Sequence, residues 1–218
     1  MVRDVLVLAA TALESARLPS ANVIVGGIGA VNTAHALTKY FARYGEPPLV
    51  IQVGIAGAFV PADVAVGSVV LADTEIYGDV GVLALDGWRP LEEIGIPLIE
   101  ATESQPARFN YFPLDADLVA RAASAAGDSV ARTGKFLTVS QVTGVRAAGD
   151  ALYERFGALC ESMEGAAAAH VCAMYAVPFL EVRGISNRIE NRDRANWRIV
   201  EAADAAQAVV LKLLDALS

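Results

Sequence analysis

Short runs of β-branched and leucine residues alternate along the chain with longer stretches rich in alanine. The short runs have the length and composition of buried strands, and the longer stretches carry apolar residues at helical spacing. This alternation is typical of an α/β fold in which helices cover both faces of a largely buried sheet. It predicts strands at residues 4–10, 22–27, 49–53, 67–72, 134–140 and 178–185, and helices at 31–44, 115–126, 147–156, 165–175 and 197–217.

Residues 77–113 interrupt this pattern, because glycine and proline recur through the segment and its secondary structure is hard to assign. A long irregular excursion in a compact domain is often a functional loop or a contact between subunits. No internal repeat, linker or clean domain boundary is present. We therefore predict one domain over residues 1–218, with a mixed central β-sheet flanked by helices.

Composition excludes several classes of protein. Hydrophobic residues make up 55% of the chain and charged residues 19%, which favours a folded core over disorder. The net charge of -8 repels a phosphate backbone, so nucleic acid is not an expected partner. The longest uncharged stretch, residues 165–180, is too short to span a membrane and contains a histidine and a proline.

The cysteines and histidines point to a reduced protein without a metal. Cys160 and Cys172 cannot form a disulfide framework, and the short apolar run at the start of the chain ends without a signal-cleavage region. We therefore expect a cytoplasmic protein. His35 and His170 are far apart in sequence, which gives little support to a metal site, and no cofactor is expected.

Two glycine-rich segments follow predicted strands. Residues 27–32 open a helix, so their backbone N–H groups can face an anion, or they can form a tight turn without a ligand. Asn32 replaces the third glycine of a dinucleotide-binding fingerprint, which argues against NAD. Residues 53–59 are predicted to form a second turn, whose small residues admit either a flat ligand or a closely packed helix.

The most informative segments lie near the end of the chain. A strand is expected to end near Met163, with Glu164 at the start of an alanine-rich helix, and the strand at 178–185 leads into Ser186 and Asn187. The two strand ends can converge on one pocket. As alternatives, Glu164 only complements the helix dipole, worth about 0.3–1 kcal/mol, and Asn187 is only a turn residue.

Four ordered segments resemble the nucleoside phosphorylase and nucleosidase superfamily: Gly-Ile-Gly-Ala-Val-Asn at 27–32, Val-Gly-Ile-Ala-Gly at 53–57, Ser-Met-Glu-Gly-Ala-Ala at 162–167 and Val-Arg-Gly-Ile-Ser-Asn at 182–187. Within it, residues 138–144 and 184–194 are most similar to the futalosine hydrolases. That family cleaves futalosine to hypoxanthine and dehypoxanthine futalosine in a menaquinone pathway. The resemblance implies a nucleoside phosphorylase-like fold and a homo-oligomer, a dimer or larger.

The resemblance also implies roles for individual residues. Glu164 would bind the ribose hydroxyls, Met163 would pack beneath the sugar, and Glu14 would position and deprotonate the attacking water. Trp197 would lie near the purine, and the backbone of Val142 and Thr143 would contact the base. The remaining residues expected to bind substrate are Ala56, Gly57 and Ser186.

Asn187 is where the chain departs from the adenine-specific nucleosidases, which have aspartate at this position. An amide offers both a donor and an acceptor, so its NH₂ can face a 6-oxo group while its carbonyl accepts from a protonated N7. This chemistry favours hypoxanthine over adenine. A mismatched base would leave buried polar groups unsatisfied, at a cost of about 1–3 kcal/mol, or roughly five- to 150-fold.

The nucleophile is expected to be water, because residues 11–20 hold Arg17 as their only cation and Glu14 would oppose a phosphate dianion. The partners are therefore a nucleoside and water. The alternatives are a purine nucleoside phosphorylase, a methylthioadenosine-type nucleosidase and a nucleoside-binding protein without turnover. For the benzoate of futalosine, the candidate cations are Arg108, Arg188, Arg192 and Arg194.

Overall fold

The computed structural model describes residues 5–19, 22–85, 87–103 and 105–217. Within these ranges the strands are β1 (Leu6–Ala9), β2 (Val23–Val25), β3 (Val50–Ala58), β4 (Val69–Tyr77), β5 (Gly81–Ala84), β6 (Gly87–Pro90), β7 (Tyr111–Pro113), β8 (Arg132–Thr138), β9 (Cys160–Ser162) and β10 (Phe179–Arg188). The helices are α1 (Ala30–Tyr44), α2 (Leu91–Ile94), α3 (Ala116–Ala126), α4 (Arg146–Phe156), α5 (Gly165–Met174) and α6 (Ile199–Leu217).

Eight strands form one sheet in the order β10-β4-β8-β9-β3-β1-β2, with β7 added to β4. Strand β10 also pairs with β3, so β10, β4, β8, β9 and β3 close into a ring. Strands β2, β1, β3 and β10 run parallel, whereas β10 with β4 and β3 with β9 are antiparallel. The predicted α/β fold with a mixed central sheet is confirmed.

The parallel strands bring the candidate site together. Because β1, β3 and β10 are parallel neighbours, their carboxyl ends lie at one edge of the sheet. Strand β1 leads into a single 3-10 turn, Leu13–Ser15, which carries Glu14. Strand β9 pairs with the end of β3, where Glu161 is the register partner of Gly57, and it delivers Glu164 to the start of α5.

Helix packing follows from the small residues of α5. Ala166 to Ala169 are all at most 4% exposed, because a helix of alanines can approach the sheet closely. Helix α6 buries an apolar face against β10 and β3, and its Val210 and Leu213 are fully buried. The floor of the site is therefore held between two helices and a closed ring of strands.

The predicted helices agree with the structure within about two residues, but three predicted strands are too short. Strands β3, β4 and β10 continue past residues 53, 72 and 185 into segments of glycine and polar residues. The turn predicted at 53–59 is wrong, since residues 53–58 belong to β3. Asp4, the first residue of the predicted strand 4–10, lies outside the described residues.

The excursion at 77–113 contains a hairpin of β5 and β6, the short helix α2, and β7. The hairpin exposes Leu83 and Leu85 almost fully, at 84% and 110% of the reference area. Among the described residues, no helix has the length and apolar character needed to cross a bilayer.

Candidate active site

A cavity of about 440 Å³ opens at the carboxyl ends of β1, β3 and β10. Its wall is apolar over most of its area, with a few polar groups that converge on it, which is the usual character of a small-molecule site. The structure brings all ten residues predicted from the sequence into this wall: Glu14, Ala56, Gly57, Val142, Thr143, Met163, Glu164, Ser186, Asn187 and Trp197.

Glu14 is held by three hydrogen bonds. Its Oε1 accepts from the backbone N–H of Ile55 at 3.0 Å, and its Oε2 accepts from the N–H and the hydroxyl of Thr11 at 2.9 and 2.7 Å. The residue is only 5% exposed, and it lines the cavity. These three donors fix the orientation of the carboxylate, so this geometry suits a base that faces the cavity.

The turn that carries Glu14 is fixed from helix α6. Gln207 is fully buried, and its Nε2 donates to the carbonyl of Leu13 at 3.2 Å while its Oε1 accepts from the N–H of Arg17 at 2.7 Å. The sequence analysis missed Gln207. A contact across 190 positions leaves no local sequence signal, so only the fold reveals it.

Glu164 stands at the N-cap position of α5, and its carboxylate faces the other glycine-rich segment. Its Oε1 accepts from the N–H of Gly29 at 2.9 Å, and its Oε2 accepts from the N–H of Met163 at 3.3 Å and from Nη2 of Arg183 at 3.2 Å. The predicted property of residues 27–32, an N–H group directed at an anion, is therefore present. The anion is the protein's own carboxylate.

Arg183 connects the two acidic residues. Its Nη1 donates to the carbonyl of Ile55 at 3.1 Å, so the backbone of one residue, Ile55, contacts both Arg183 and Glu14. Burial alone would lower the pKa of Arg183, but attraction by Glu181, Glu164 and Glu14 outweighs it and raises the pKa above its ordinary value. The guanidinium is therefore a permanent cation between two carboxylates. Arg183 belongs to the segment Val-Arg-Gly-Ile-Ser-Asn at 182–187, but no role was predicted for it from the sequence.

Gly54 explains why small residues follow the apolar part of β3. A Cβ at this position would lie 2.7 Å from Oε1 of Glu14 and would overlap Nη1 of Arg183. The missing side chain makes room for the two charged groups, whereas the sequence analysis expected such residues to admit a ligand or a helix. A side chain here would push Glu14 and Arg183 apart.

The opposite side of the cavity presents an amide and hydroxyl groups. Asn187 is half-buried, its Oδ1 accepts from the hydroxyl of Ser186 at 2.8 Å, and its Nδ2 donates to the carbonyl of Arg188 at 3.1 Å. The same hydroxyl lies 3.2 Å from the carbonyl of Ala56. The contact with Ser186 orients the amide and leaves Nδ2 a second hydrogen for a ligand.

Glu161 holds the loop residue Thr143 on the same side of the cavity as Asn187. Its Oε1 accepts from the N–H of Thr143 and its Oε2 accepts from the Thr143 hydroxyl, both at 2.7 Å. Burial raises the pKa of Glu161, while the hydrogen bonds from Thr143 act in the opposite direction. Glu161 was not among the predicted site residues. It fixes Thr143 at the cavity wall through both of its carboxylate oxygens.

Trp197 lines the same side of the cavity, and two arginines lie over its indole ring. The guanidinium carbons of Arg192 and Arg194 each lie 5.5 Å from the centre of its indole. Of the four arginines predicted as candidates for a carboxylate, Arg192 lines the cavity, beside the loop at 143–144. Arg188 faces Asp63 at 4.0 Å, and Arg108 lines a separate cavity.

Cysteine and histidine take no part in the cavity wall. Cys160 and Cys172 are free and buried, and burial raises the pKa of both thiols. His170 stacks near Phe112, and burial lowers its pKa. Across the described part of the chain, no group of three histidine, cysteine, aspartate or glutamate side chains is placed to hold a metal ion.

Comparison with known proteins agrees with this geometry. The sequence profile of the Phosphorylase superfamily matches residues 18–217. The chain is 41% identical over 207 residues to the futalosine hydrolase of Streptomyces coelicolor, covering 92% of this chain and 82% of that protein. It is 38% identical over 188 residues to the futalosine hydrolase of Thermus thermophilus, with 86% and 78% covered.

A solved structure shows the same architecture. The 5'-methylthioadenosine/S-adenosylhomocysteine nucleosidase from S. pneumoniae, determined with a transition-state inhibitor, superimposes with a TM-score of 0.80. The alignment covers 99% of this chain and all of that one, at 23% identity. At this identity the likeness establishes the fold.

Proposed function

The chain belongs to the phosphorylase superfamily, and from this premise we propose that it hydrolyses the N-glycosidic bond of futalosine, releasing hypoxanthine and dehypoxanthine futalosine. One observation carries the proposal. Glu14 and Glu164 line a single cavity and are linked through Arg183 and the backbone of Ile55, and the amide of Asn187 lies in the same wall. Two carboxylates beside an uncharged amide that can recognise a purine suit cleavage of the glycosidic bond of a 6-oxopurine nucleoside.

On the sugar side, the bond between C1′ and N9 lengthens and positive charge develops on the ribosyl ring. Glu164 accepts hydrogen bonds from the 2′ and 3′ hydroxyls, and its negative charge stabilises that cation. Met163 packs beneath the sugar. Because Gly29 and Arg183 already fix the Glu164 carboxylate, little reorganisation is needed when the charge develops.

Water attacks C1′ from the face opposite the departing base. Glu14 orients this water and accepts its proton, while the electron pair of the broken bond passes to the purine. Ile55 and Thr11 supply the donors that hold the Glu14 carboxylate at the cavity wall.

Asn187 recognises the leaving base. Its NH₂ faces the 6-oxo group, and its carbonyl retains a lone pair for the protonated N7. Because an amide does not titrate, we assign Asn187 to hydrogen bonding and not to general-acid catalysis. The backbone at Val142 and Thr143 and the ring of Trp197 complete the base side, while Ala56, Gly57 and Ser186 shape the floor between base and sugar.

The charges around the cavity favour water over phosphate. Arg183 is fully buried and occupied by Glu164, Glu181 and Ile55, and Arg17 pairs with Asp204 outside the cavity. A phosphate dianion would instead meet the carboxylate of Glu14, while Arg192 in the same wall lies against the indole of Trp197.

We also propose that the enzyme is a cytoplasmic homo-oligomer. The hairpin of β5 and β6 exposes Val82, Leu83 and Leu85, an apolar surface suited to a second subunit. The two free thiols suit a reducing compartment.

One chromatographic assay tests the function. Purified enzyme is incubated with futalosine, its 6-amino counterpart, inosine or methylthioadenosine, each with and without phosphate. We expect hypoxanthine release from futalosine at a rate that phosphate does not change. Cleavage of inosine that requires phosphate would identify a phosphorylase, and preferential cleavage of methylthioadenosine would identify an adenine-specific nucleosidase. If none of the four compounds is cleaved, the protein would be a nucleoside-binding protein without turnover.

A further inference from the structure

A second pair of acidic residues lies behind the catalytic carboxylates. Glu75 on β4 and Glu181 on β10 are both fully buried, and Glu181 accepts a hydrogen bond from Nε of Arg183. Arg183 uses its other two nitrogens on Glu164 and on the carbonyl of Ile55. Glu181 therefore holds the guanidinium from the side opposite the cavity.

The two buried carboxyl groups converge on the first residue of α5. A Cβ on Gly165 would overlap Oε2 of Glu181 and Oε2 of Glu75 at the same time, so these two oxygens lie close to each other. Gly165 directly follows Glu164 in sequence. The absence of a side chain there lets the pair of acids pack under the start of the helix.

Two carboxylates at this place would lack the hydrogen-bond donors that buried anions need. Among the described residues, no N–H or O–H group donates to Oε2 of Glu181 or to either oxygen of Glu75. Two adjacent, fully buried anions would repel each other without compensation, whereas one shared proton removes a charge and supplies the missing donor. Glu181 has the cation Arg183 as its direct partner, which leaves Glu75 as the site of the proton.

The surroundings agree with this assignment. Burial raises the pKa of Glu75 well above its ordinary value, the neighbouring Glu181 raises it further, and Arg183 only partly opposes them. Glu75 also interacts electrostatically with three other titratable groups, Asp73 and Tyr77 on β4 and Cys160 on β9.

We propose that neutral Glu75 donates a hydrogen bond to Glu181, and that anionic Glu181 then fixes Arg183 so that it aims Glu164 at the sugar. Glu75 and Glu181 are thus positioning residues, and neither faces the substrate. The inference concerns the rate of the cleavage proposed above and rests on that function for its kinetic test.

Substitutions separate a proton donor from a buried anion. Glu75→Gln preserves shape, neutrality and a donor, so kcat should stay within about threefold of the wild type. Glu75→Leu removes the donor, and Glu181→Gln removes the negative charge that pairs with Arg183. Each should lower kcat about 10- to 100-fold, with a smaller change in KM. Gln52→Leu is the matched control, because this buried neighbour of Glu181 on β3 contacts no donor or acceptor among the described residues. Its kcat should not change.

An infrared spectrum tests the proton without any substrate. The wild type and Gln52→Leu should both show the carbonyl stretch of a buried protonated carboxyl at neutral pH, and Glu75→Gln should lose it. Absence of that band from the wild type, or a loss of kcat beyond tenfold in Glu75→Gln, would overturn the proposal. Because the band needs no turnover, it still decides the question if futalosine is not the substrate or if the two damaging variants do not fold.

Discussion

The two sides of the cavity differ in how they hold their polar groups. On the sugar side, Glu14 and Glu164 are ionic, almost fully buried, and each fixed by three donors. On the base side, Asn187 and Thr143 are neutral and half-buried, and each is oriented by one neighbouring side chain. The sugar side thus concentrates preorganised charge, and the base side presents a pattern of hydrogen bonds.

This difference matches the demands of the reaction. A ribosyl cation exists only near the transition state, so fixed negative charge acts mainly on kcat. A purine edge is present in both the bound substrate and the transition state, so hydrogen bonds to it act on the choice of substrate. Variants on the sugar side should therefore change turnover, and variants on the base side should change preference.

The largest effect is expected from Glu14→Gln. The amide keeps the size of the side chain but cannot accept the proton of water, so kcat should fall about 10²–10⁴-fold. KM for futalosine should change far less. Steady-state kinetics measures both, with Glu154→Gln on the exposed surface of α4 as the matched control. A Glu14 variant with the control's kcat would remove Glu14 from the mechanism.

Glu164→Gln should rank next. Neutralising this carboxylate removes the charge closest to the ribosyl cation and leaves Arg183 with one fewer anionic partner, so we expect kcat to fall about 10²–10³-fold. The same assay and control apply. Near-normal turnover would mean that Glu164 only caps α5 and complements its dipole.

Asn187→Asp should alter preference more than rate. A carboxyl group can accept from a 6-amino group, so the ratio of kcat/KM for futalosine over its 6-amino counterpart should fall by roughly five- to 150-fold. Measuring both substrates with one enzyme preparation makes the ratio independent of the folded fraction. An unchanged ratio would refute the role assigned to this amide.

The sequence predicted the two sides unequally. Glu14, Glu164 and Asn187 stand beside strand ends and in short motifs, so local pattern and resemblance sufficed to bring them into one wall. Arg183, Glu181 and Glu75 lie within strands, where a buried charge looks like an interruption of an apolar run. Only the ring closure between β10 and β3, together with the pairing of β10 with β4, reveals that they meet.

The strand boundaries were missed for the same reason. The prediction ended β3 and β4 where the apolar runs ended, but both strands continue for five residues. Strand β4 continues through polar residues that include the buried Glu75, and β3 continues through small residues that include Gly54 and Gly57. A pattern of hydrophobic positions registers burial only when the buried residue is apolar. Behind this cavity several buried residues are polar, and Gln207 contributes one of them from helix α6 near the end of the chain.

Thr143→Val should have a smaller effect, confined to the base side. It removes the hydroxyl that Glu161 binds while keeping the backbone N–H to the other carboxylate oxygen. We expect KM to rise about three- to tenfold with kcat almost unchanged, because one hydrogen bond to a buried charged group is lost. Thr143→Ser, which keeps the hydroxyl, should restore KM. A fall in kcat at constant KM would place this loop with the charged side instead.

The last prediction concerns stability and tests what supports the charged side. The pKa of Glu75 is raised above its ordinary value of 4.5 in the folded protein, so above that pH the native state binds a proton that the unfolded chain has lost. The free energy of unfolding therefore falls with rising pH, by up to about 1.4 kcal/mol per pH unit until Glu75 itself ionises.

Glu75→Gln abolishes this term. The free energy of unfolding of the variant minus that of the wild type should therefore increase between pH 5 and pH 8, which urea titrations at several pH values can measure. Other shifted groups, such as Glu161 and His170, contribute equally to both proteins and cancel in the difference. Glu154→Gln should give a flat difference over the same range. A flat line for Glu75→Gln as well would mean that Glu75 is already ionised in the folded protein, and the charged side would then need another source for the hydrogen bond to Glu181.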